Sequence, residues 1–476
     1  MDAVINFINS ILWGYVLVYG LVAVGIFFTI RLGFIQILHF PELFRVISKG
    51  TDDDATGITP FQALCTSLAS RVGTGNLAGV AVAMTLGGPG ALFWMWVVAF
   101  LGMATAYAES TLAQLYKVRG ADGSYRGGPA FYIARGLGAP WAAAIFSICL
   151  IIAFGFVFNA VQANSIAEAV GGAFNIPQIW VGVAVAVLSG IVIFGGIRTI
   201  ANWAQYIVPF MAGIYLLVAA YVLIVNFAQV PAALALIIKS AFGLEQAVGG
   251  VAGAMLNGIK RGLFSNEAGM GSAPNIAAAA TPNPHHPSSS GLVQSLGVFI
   301  DTILVCTATG VMILLSGALV PGGDLTATPL TQAAMTVHIG WFGNYFIAIA
   351  IFFFAWTSII GNYAYAESAL AFLKLDNAIG LTVARVGLLG MVLWGSYESA
   401  TTVFNAADAS MGLMATINLI AICLLSPVVA KMTRDYFIQR KTRNPVFDPR
   451  YYPELQGKID GSIWTEVADE KRINRP

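Results

Sequence analysis

Apolar runs of roughly 18 or more residues recur along this chain, each long enough to cross the hydrocarbon core of a bilayer as a helix. Only 10% of the 476 residues are charged and mean hydropathy is +0.77, whereas soluble domains carry about 25% charged residues. No soluble fold of this length could hide so much apolar surface, so the chain reads as an all-α polytopic membrane protein. The net charge of +1 implies no nucleic-acid partner and no acidic one. Cys65, Cys149, Cys306 and Cys423 stand singly inside apolar runs, which suits small core residues better than a disulfide frame or a metal site.

The apolar periodicity predicts eleven spans, at about 11–30, 60–86, 89–115, 141–170, 178–197, 203–228, 247–280, 291–318, 341–372, 379–396 and 402–428. The first is expected to be a retained span rather than a signal peptide, because no charged start or small-residue cleavage site precedes it. The second and seventh are too long for one straight helix, which predicts a break in each. Residues 320–340 read as a capping loop with a helical turn, and residues 429–476 as a polar tail. Most of the Lys and Arg residues fall on one side, in loops holding Arg31, Arg45, Lys49, Lys117, Arg119, Arg126, Arg135, Arg198, Lys374 and Arg385, and in the tail. The positive-inside rule then makes the tail cytoplasmic, and an odd number of spans puts the N-terminus outside.

The most unusual stretch is 261–274, R-G-L-F-S-N-E-A-G-M-G-S-A-P, which interrupts an apolar run with charge, glycine and proline. Such a break is tolerated in a membrane only where protein or a watery cavity satisfies the freed backbone. An earlier segment answers it. In R-V-G-T-G-N-L-A-G (71–79), Arg71, Asn76, Ala78 and Gly79 match Arg261, Asn266, Ala268 and Gly269. Composition alone could produce this match, but the two segments lie five spans apart and would cross the membrane in opposite directions. Paired breaks in inverted halves point to a transporter's binding site. The N–H end of a half-helix attracts a carboxylate and the carbonyl end can hold a cation.

These strings, with G-G-P-G-A-L-F-W-M-W (87–96) and S-Y-R-G-G-P-A-F-Y (124–132), resemble the alanine-or-glycine:cation symporter family. The resemblance runs from about residue 60 to the tail. It implies a leucine-transporter-like fold, with five-plus-five inverted repeats after one extra helix, and sodium- or proton-coupled uptake of alanine or glycine. Divided on that basis, 1–55 holds the extra helix and a loop, 56–230 and 231–428 the two repeats, and 429–476 the tail. The implied partners are a small neutral amino acid, a sodium ion and the lipid bilayer of the cell membrane; no protein partner is predictable.

Thr74, Gly75 and Asn76 are substrate candidates, or else a helix kink packed through small residues. Phe264, Ser265, Asn266, Gly269 and Met270 carry the same two readings, with Phe264 and Met270 as walls around a small side chain. Among Asn159, Gln162 and Asn164, the first two share a helix face and Asn164 points elsewhere, so spacing does not choose; the resemblance favours Asn164. Thr357 and Ser358, with backbone near Ala69 and Val72, form the sodium site the resemblance implies, and oxygen donors suit that ion; ordinary helix back-bonding is the alternative. Trp356 either lines the pocket or packs.

Glu109 and Glu367, each in A-Y-A-E-S, read as solvated helix ends more readily than as a gate or a structural pair. Asp301, inside an apolar run, should face protein or water, as an ion relay or a hydrogen-bonded structural group. His285 and His286 read as a solvated loop, and 431–443 as a basic segment lying on anionic headgroups. The expected activity is a sodium-coupled symporter for alanine or glycine. Proton coupling, a passive channel and an intramembrane enzyme built on Ser265, Glu267 and His285 are the alternatives.

Overall fold

The computed structural model describes residue 7 and residues 9–48, 57–120, 123–244, 250–442 and 444–473; Lys49, Arg443 and the expected boundary at 55–56 lie outside them. Helix α1 (Asn9–Arg31) is followed by a short α2 (Phe40–Ser48), then by an interrupted helix in two pieces, α3 (Pro60–Arg71) and α4 (Gly75–Gly87). Helix α5 (Gly90–Leu115) leads through an antiparallel hairpin, β1 (Val118–Arg119) and β2 (Tyr125–Arg126), into α6 (Pro129–Gly136). Next come α7 (Pro140–Phe174), α8 (Gln178–Ile193), α9 (Gly196–Val225) and α10 (Val230–Ala241). A second interrupted helix is made of α11 (Gly250–Asn266) and α12 (Pro274–Ala279). The rest is α13 (Pro287–Ser316), α14 (Ala327–Ile339), α15 (Phe342–Phe372), α16 (Ala378–Tyr397), α17 (Ala400–Leu424), α18 (Ser426–Arg440) and α19 (Gly461–Ile473).

Eight of these helices, α1, α5, α7, α9, α13, α15, α16 and α17, are long and apolar enough to cross a membrane. The other expected spans correspond to the two interrupted helices and to α8, which has 16 residues. Helix α10 falls where only a loop was expected, and Arg198 lies in the first turn of α9 rather than in a loop. Helix α14 is 13 residues long, more than the expected turn. The buried centre is built on α5 and α15: 67% of the apolar window of each is covered by protein, against 22% for α16 and 28% for α9. The last two therefore present most of their surface outward.

Local chemistry sets the ends and the breaks. Helix α3 starts with a capping box, in which Thr59 accepts from the Gln62 N–H and the Gln62 side chain accepts from the Thr59 N–H, with Pro60 at the first helical position. It stops at Arg71, and residues 72–73 bend before the chain turns helical again at Thr74, leading into α4. In the second interruption, Glu267, Gly269 and Gly271 all have positive φ, at 57°, 86° and 83°. A right-handed helix cannot continue through such residues. The two breaks do not coincide in the sequence match: residues 262–263, aligned with 72–73, are helical, and the second break begins at Glu267.

The interrupted helices nevertheless lie side by side and run in opposite directions. Where α3 begins, the Ile58 N–H donates to Ala279 O at 3.1 Å and the Thr281 N–H donates to Ile58 O at 2.9 Å, tying its entry to the exit of α12. At the far end Gly87 of α4 abuts the start of α11, where an added Cβ would lie 3.1 Å from Ala254 Cα.

The tail packs onto the helix ends. His286 is buried beside Tyr436 and Phe447, its Nε2 3.2 Å from Asp435 Oδ2, and His285 lies against the ring of the buried Trp464. The expected solvated loop is thus covered by protein. Within the basic segment, Arg440 Nε reaches Glu42 Oε1 at 2.6 Å, a protein contact where lipid was expected.

Candidate functional site at the two helix breaks

The breaks face each other in the middle of the buried core. Gly75 sits against α11: an added Cβ would lie 3.0 Å from Ser265 Cα and 3.2 Å from a ring carbon of Phe264. Asn76 closes its own break by accepting from the Gly73 N–H at 3.0 Å. Its amide nitrogen then donates to Asp301, at 2.7 Å to Oδ1 and 3.0 Å to the backbone carbonyl. Ser265 donates to the other carboxylate oxygen of Asp301 at 2.8 Å, and Thr302 reaches it at 2.6 Å. Asp301 of α13 therefore joins a side chain from each interrupted helix, and it faces protein as its apolar run requires. Cys306 lies beside the same group, 3.2 Å from Ser265 Oγ.

The second break is held by a carboxylate from α5. Glu109 accepts from the N–H groups of Gly269 at 3.2 Å and Gly271 at 3.1 Å, and from Asn418 Nδ2 of α17 at 2.7 Å. The two left-handed glycines, one on each side of Met270, aim their N–H groups at one anion, as backbone nests do. Asn418 also donates to Gly269 O and accepts from the Tyr132 hydroxyl. Glu109 is fully buried, not a solvated helix end, and Glu367 is buried in an ion pair with Arg126 at 2.9 Å. Burial of a carboxylate is costly without such partners.

Asn266 accepts from the Ala268 N–H at 3.0 Å, capping the end of α11 much as Asn76 caps the start of α4. Phe264 stacks on Phe158 with ring centroids 4.7 Å apart and tilts against Phe404 at 5.6 Å. Met270 is buried within the second break. Of the amides in α7, Gln162 reaches the first break, its Oε1 accepting from the Thr74 N–H at 3.1 Å. Asn164 instead donates to the carbonyls of Gly395 and Glu398, so the structure places it between α7 and α16, away from the breaks. The shared face of Asn159 and Gln162 was the signal that could have found Gln162.

Ser358 donates to Ala69 O at 2.9 Å, across from α15 to the last turn of α3, and crowds Gly73. Val72, the C-cap of α3, is fully buried. Thr357 bonds the Phe354 carbonyl of its own helix at 2.9 Å and lies 4.0 Å from Met211 Sδ, on the side facing α9. Trp356 is on that side too, 6.4 Å from the ring of Trp203. Ala69 and Ser358 come together, Val72 precedes the Gly73 that Ser358 crowds, and Thr357 sits a step around the helix.

Three side-chain atoms at these positions are buried with no hydrogen-bond partner among the described residues: Thr74 Oγ1, Asn266 Nδ2 and Trp356 Nε1. An unmet buried polar atom costs about 1–3 kcal/mol, so such atoms mark where a polar ligand or water would be welcome.

The sequence profile of the sodium:alanine symporter family matches residues 1–449. The chain is 48% identical to the amino-acid carrier protein AlsT of Bacillus subtilis, over 98% of this chain and 99% of that one. It is 43% identical to the probable sodium/glutamine symporter GlnT of the same organism, over 99% and 97%. It is 40% identical to the sodium/alanine symporter AgcS of Methanococcus maripaludis, over 92% and 98%.

Proposed function

The chain belongs to the sodium:alanine symporter family, a multi-pass membrane transporter and not an enzyme, and on that premise we propose that it imports alanine or glycine with sodium by alternating access. The observation that carries the proposal is the meeting of two antiparallel interrupted helices at their breaks, with orphaned polar atoms from both. Substrate binds there. Its carboxylate faces the N-terminus of α4 at Thr74, Gly75 and Asn76, with Gln162 alongside. Ser265 and Asn266 serve the other break, Gly269 and Met270 shape it, and Trp356 borders the α9 side. Phe264, wedged between Phe158 and Phe404, limits the side chain to a small one. GlnT is named for a larger amide substrate, so this limit is where the two carriers would differ.

Sodium binds to oxygens of Ala69, Val72 and Ser358, with Thr357 completing the set after a small turn of α15. The chain crosses the membrane eleven times, with α1 preceding two inverted sets of five, the N-terminus outside and the tail in the cytoplasm. One set rocks against the other around the breaks. The test is uptake of labelled alanine and glycine into proteoliposomes with an inward sodium gradient, no gradient, or an inward proton gradient. Uptake driven by sodium supports the reading. Uptake driven only by protons would replace the coupling ion, and equal uptake without any gradient would refute coupled transport.

A further inference from the structure

Glu267, at the start of the second break, was given no role by the substrate and sodium reading, yet it sits in a hydrogen-bond chain with one hydrogen too few. Ser70 Oγ lies 2.9 Å from Glu267 Oε1 and 2.5 Å from Asn362 Oδ1. A hydroxyl carries a single hydrogen and can serve only one of them. Asn362 cannot turn over to help. Its Nδ2 donates to Asn159 Oδ1 at 3.0 Å, and Asn159 Nδ2 in turn donates to the carbonyls of Phe154 and Gly155 at 2.8 and 3.0 Å. Backbone carbonyls only accept, so both amides are fixed and Asn362 presents an acceptor to Ser70.

We propose that Glu267 is protonated in this conformation, donating to Ser70, which passes its own hydrogen to Asn362, so that the contact between the breaks is a proton-binding site. The other carboxyl oxygen accepts from Ser272 at 2.5 Å.

The surrounding charges agree. Arg71 of α3 and Asp301 of α13 face Glu267, the Tyr365 hydroxyl of α15 lies beside it, and Glu109 of α5 shares the same arginine. Arg71 makes its hydrogen bond to Gln294 O at 3.2 Å, while its Nε and Nη2 have no partner among the described residues, so it does not pair with Glu267. One buried arginine cannot compensate three buried carboxylates. Glu109 accepts only from N–H donors, so it holds the negative charge, whereas Glu267 is the carboxyl whose geometry demands a hydrogen. Because Ser70 lies in the last turn of the first half-helix and Glu267 opens the second break, separating the breaks removes the acceptor. The carboxyl then meets water and loses its proton. The site binds a proton in one conformation and releases it in the other, whatever solute the carrier moves.

Infrared difference spectroscopy on the full-length protein in lipid, in water and in heavy water, reads the carbonyl stretch of a protonated carboxyl directly. At neutral pH the native protein should show this band. It should vanish in Glu267→Gln, whose amide can keep donating to Ser70, and persist in Glu109→Gln. If Glu267→Gln does not fold, Glu267→Asp should move the band. Absence of the band in the native protein, its survival in folded Glu267→Gln, an unmoved band in Glu267→Asp, or its loss in Glu109→Gln would each overturn the assignment.

Discussion

Replacing Gly271 and Gly269 separately with alanine tests how the second break is built. Both residues are left-handed, with φ of 83° and 86°, so either alanine costs about 1–2 kcal/mol in backbone strain. The surroundings differ. A Cβ on Gly271 would lie 2.7 Å from Pro129 Cγ, 2.9 Å from Asn418 Cγ and 2.9 Å from Phe146 Cζ. Those atoms belong to a ring, to the stem of a hydrogen-bonded amide and to a packed aromatic, so overpacking adds about 1–3 kcal/mol. A Cβ on Gly269 would meet Leu419 Cδ2 at 3.1 Å and Leu21 Cδ2 at 3.5 Å, methyl ends that can swing aside. Gly269→Ala should therefore cost about 1–2 kcal/mol and Gly271→Ala about 2–5 kcal/mol. The assay is the loss of monodisperse protein on heating in detergent, followed by size exclusion, with Phe146→Leu as a second change that relieves crowding at 271 alone. The expected order is native, then Gly269→Ala, then Gly271→Ala, with partial rescue of the last. Equal losses at the two glycines, or rescue of both, would refute the claim that crowding separates them.

Ser358→Ala removes the hydroxyl that reaches Ala69 O and should raise the sodium concentration for half-maximal uptake roughly tenfold, about 1.4 kcal/mol; Thr357→Ala should shift it less, and the reverse order would move the ion toward α9. Asn76→Ala strips a donor from Asp301 and the acceptor from Gly73, at about 1–3 kcal/mol each, and should cut uptake at least roughly tenfold; normal uptake would remove Asn76 from the site. Arg126→Leu removes the guanidinium that pairs with the buried Glu367 and should destabilise the fold by about 3–5 kcal/mol, read as yield and heat resistance of purified protein. Burial holds the His286 imidazole below its usual range, with Asp435 opposing, so the unfolded state takes up a proton first as pH falls. That contribution to stability is intact above the ordinary histidine value of 6.5 and declines below it. Melting curves at neutral and mildly acidic pH should diverge for the native protein and less for His286→Gln.

The breaks were visible in the sequence because glycine, proline and polar residues cannot be explained away inside an apolar run. Ser358 and Ala69 were paired through the family resemblance and not through spacing, and the structure joins them by a hydrogen bond. The partners across the core were not. Glu109 ends a helix in sequence and so looked solvated, and only the tertiary fold brings the N–H groups of Gly269 and Gly271 over it. Spacing left Asn164 and Gln162 equal because both lie on one helix and the choice depends on which neighbour each face meets. The tail misled for a related reason: a basic, partly amphipathic segment suits a lipid surface, but Glu42 and the two histidines supply a protein one.

The bond between Glu109 and Asn418 spans 309 residues. At a synthesis rate of about 5–20 residues per second, roughly 15–60 s separate the appearance of the carboxylate from that of the amide that completes its cradle. Through that interval α5 must reside in the membrane with its acidic group incompletely matched, and the glycines of the second break have no fixed anchor on α17. Biogenesis of this carrier therefore ends with the keystone rather than beginning with it. Nascent chains cut short before α17 should be the ones that membrane quality control removes.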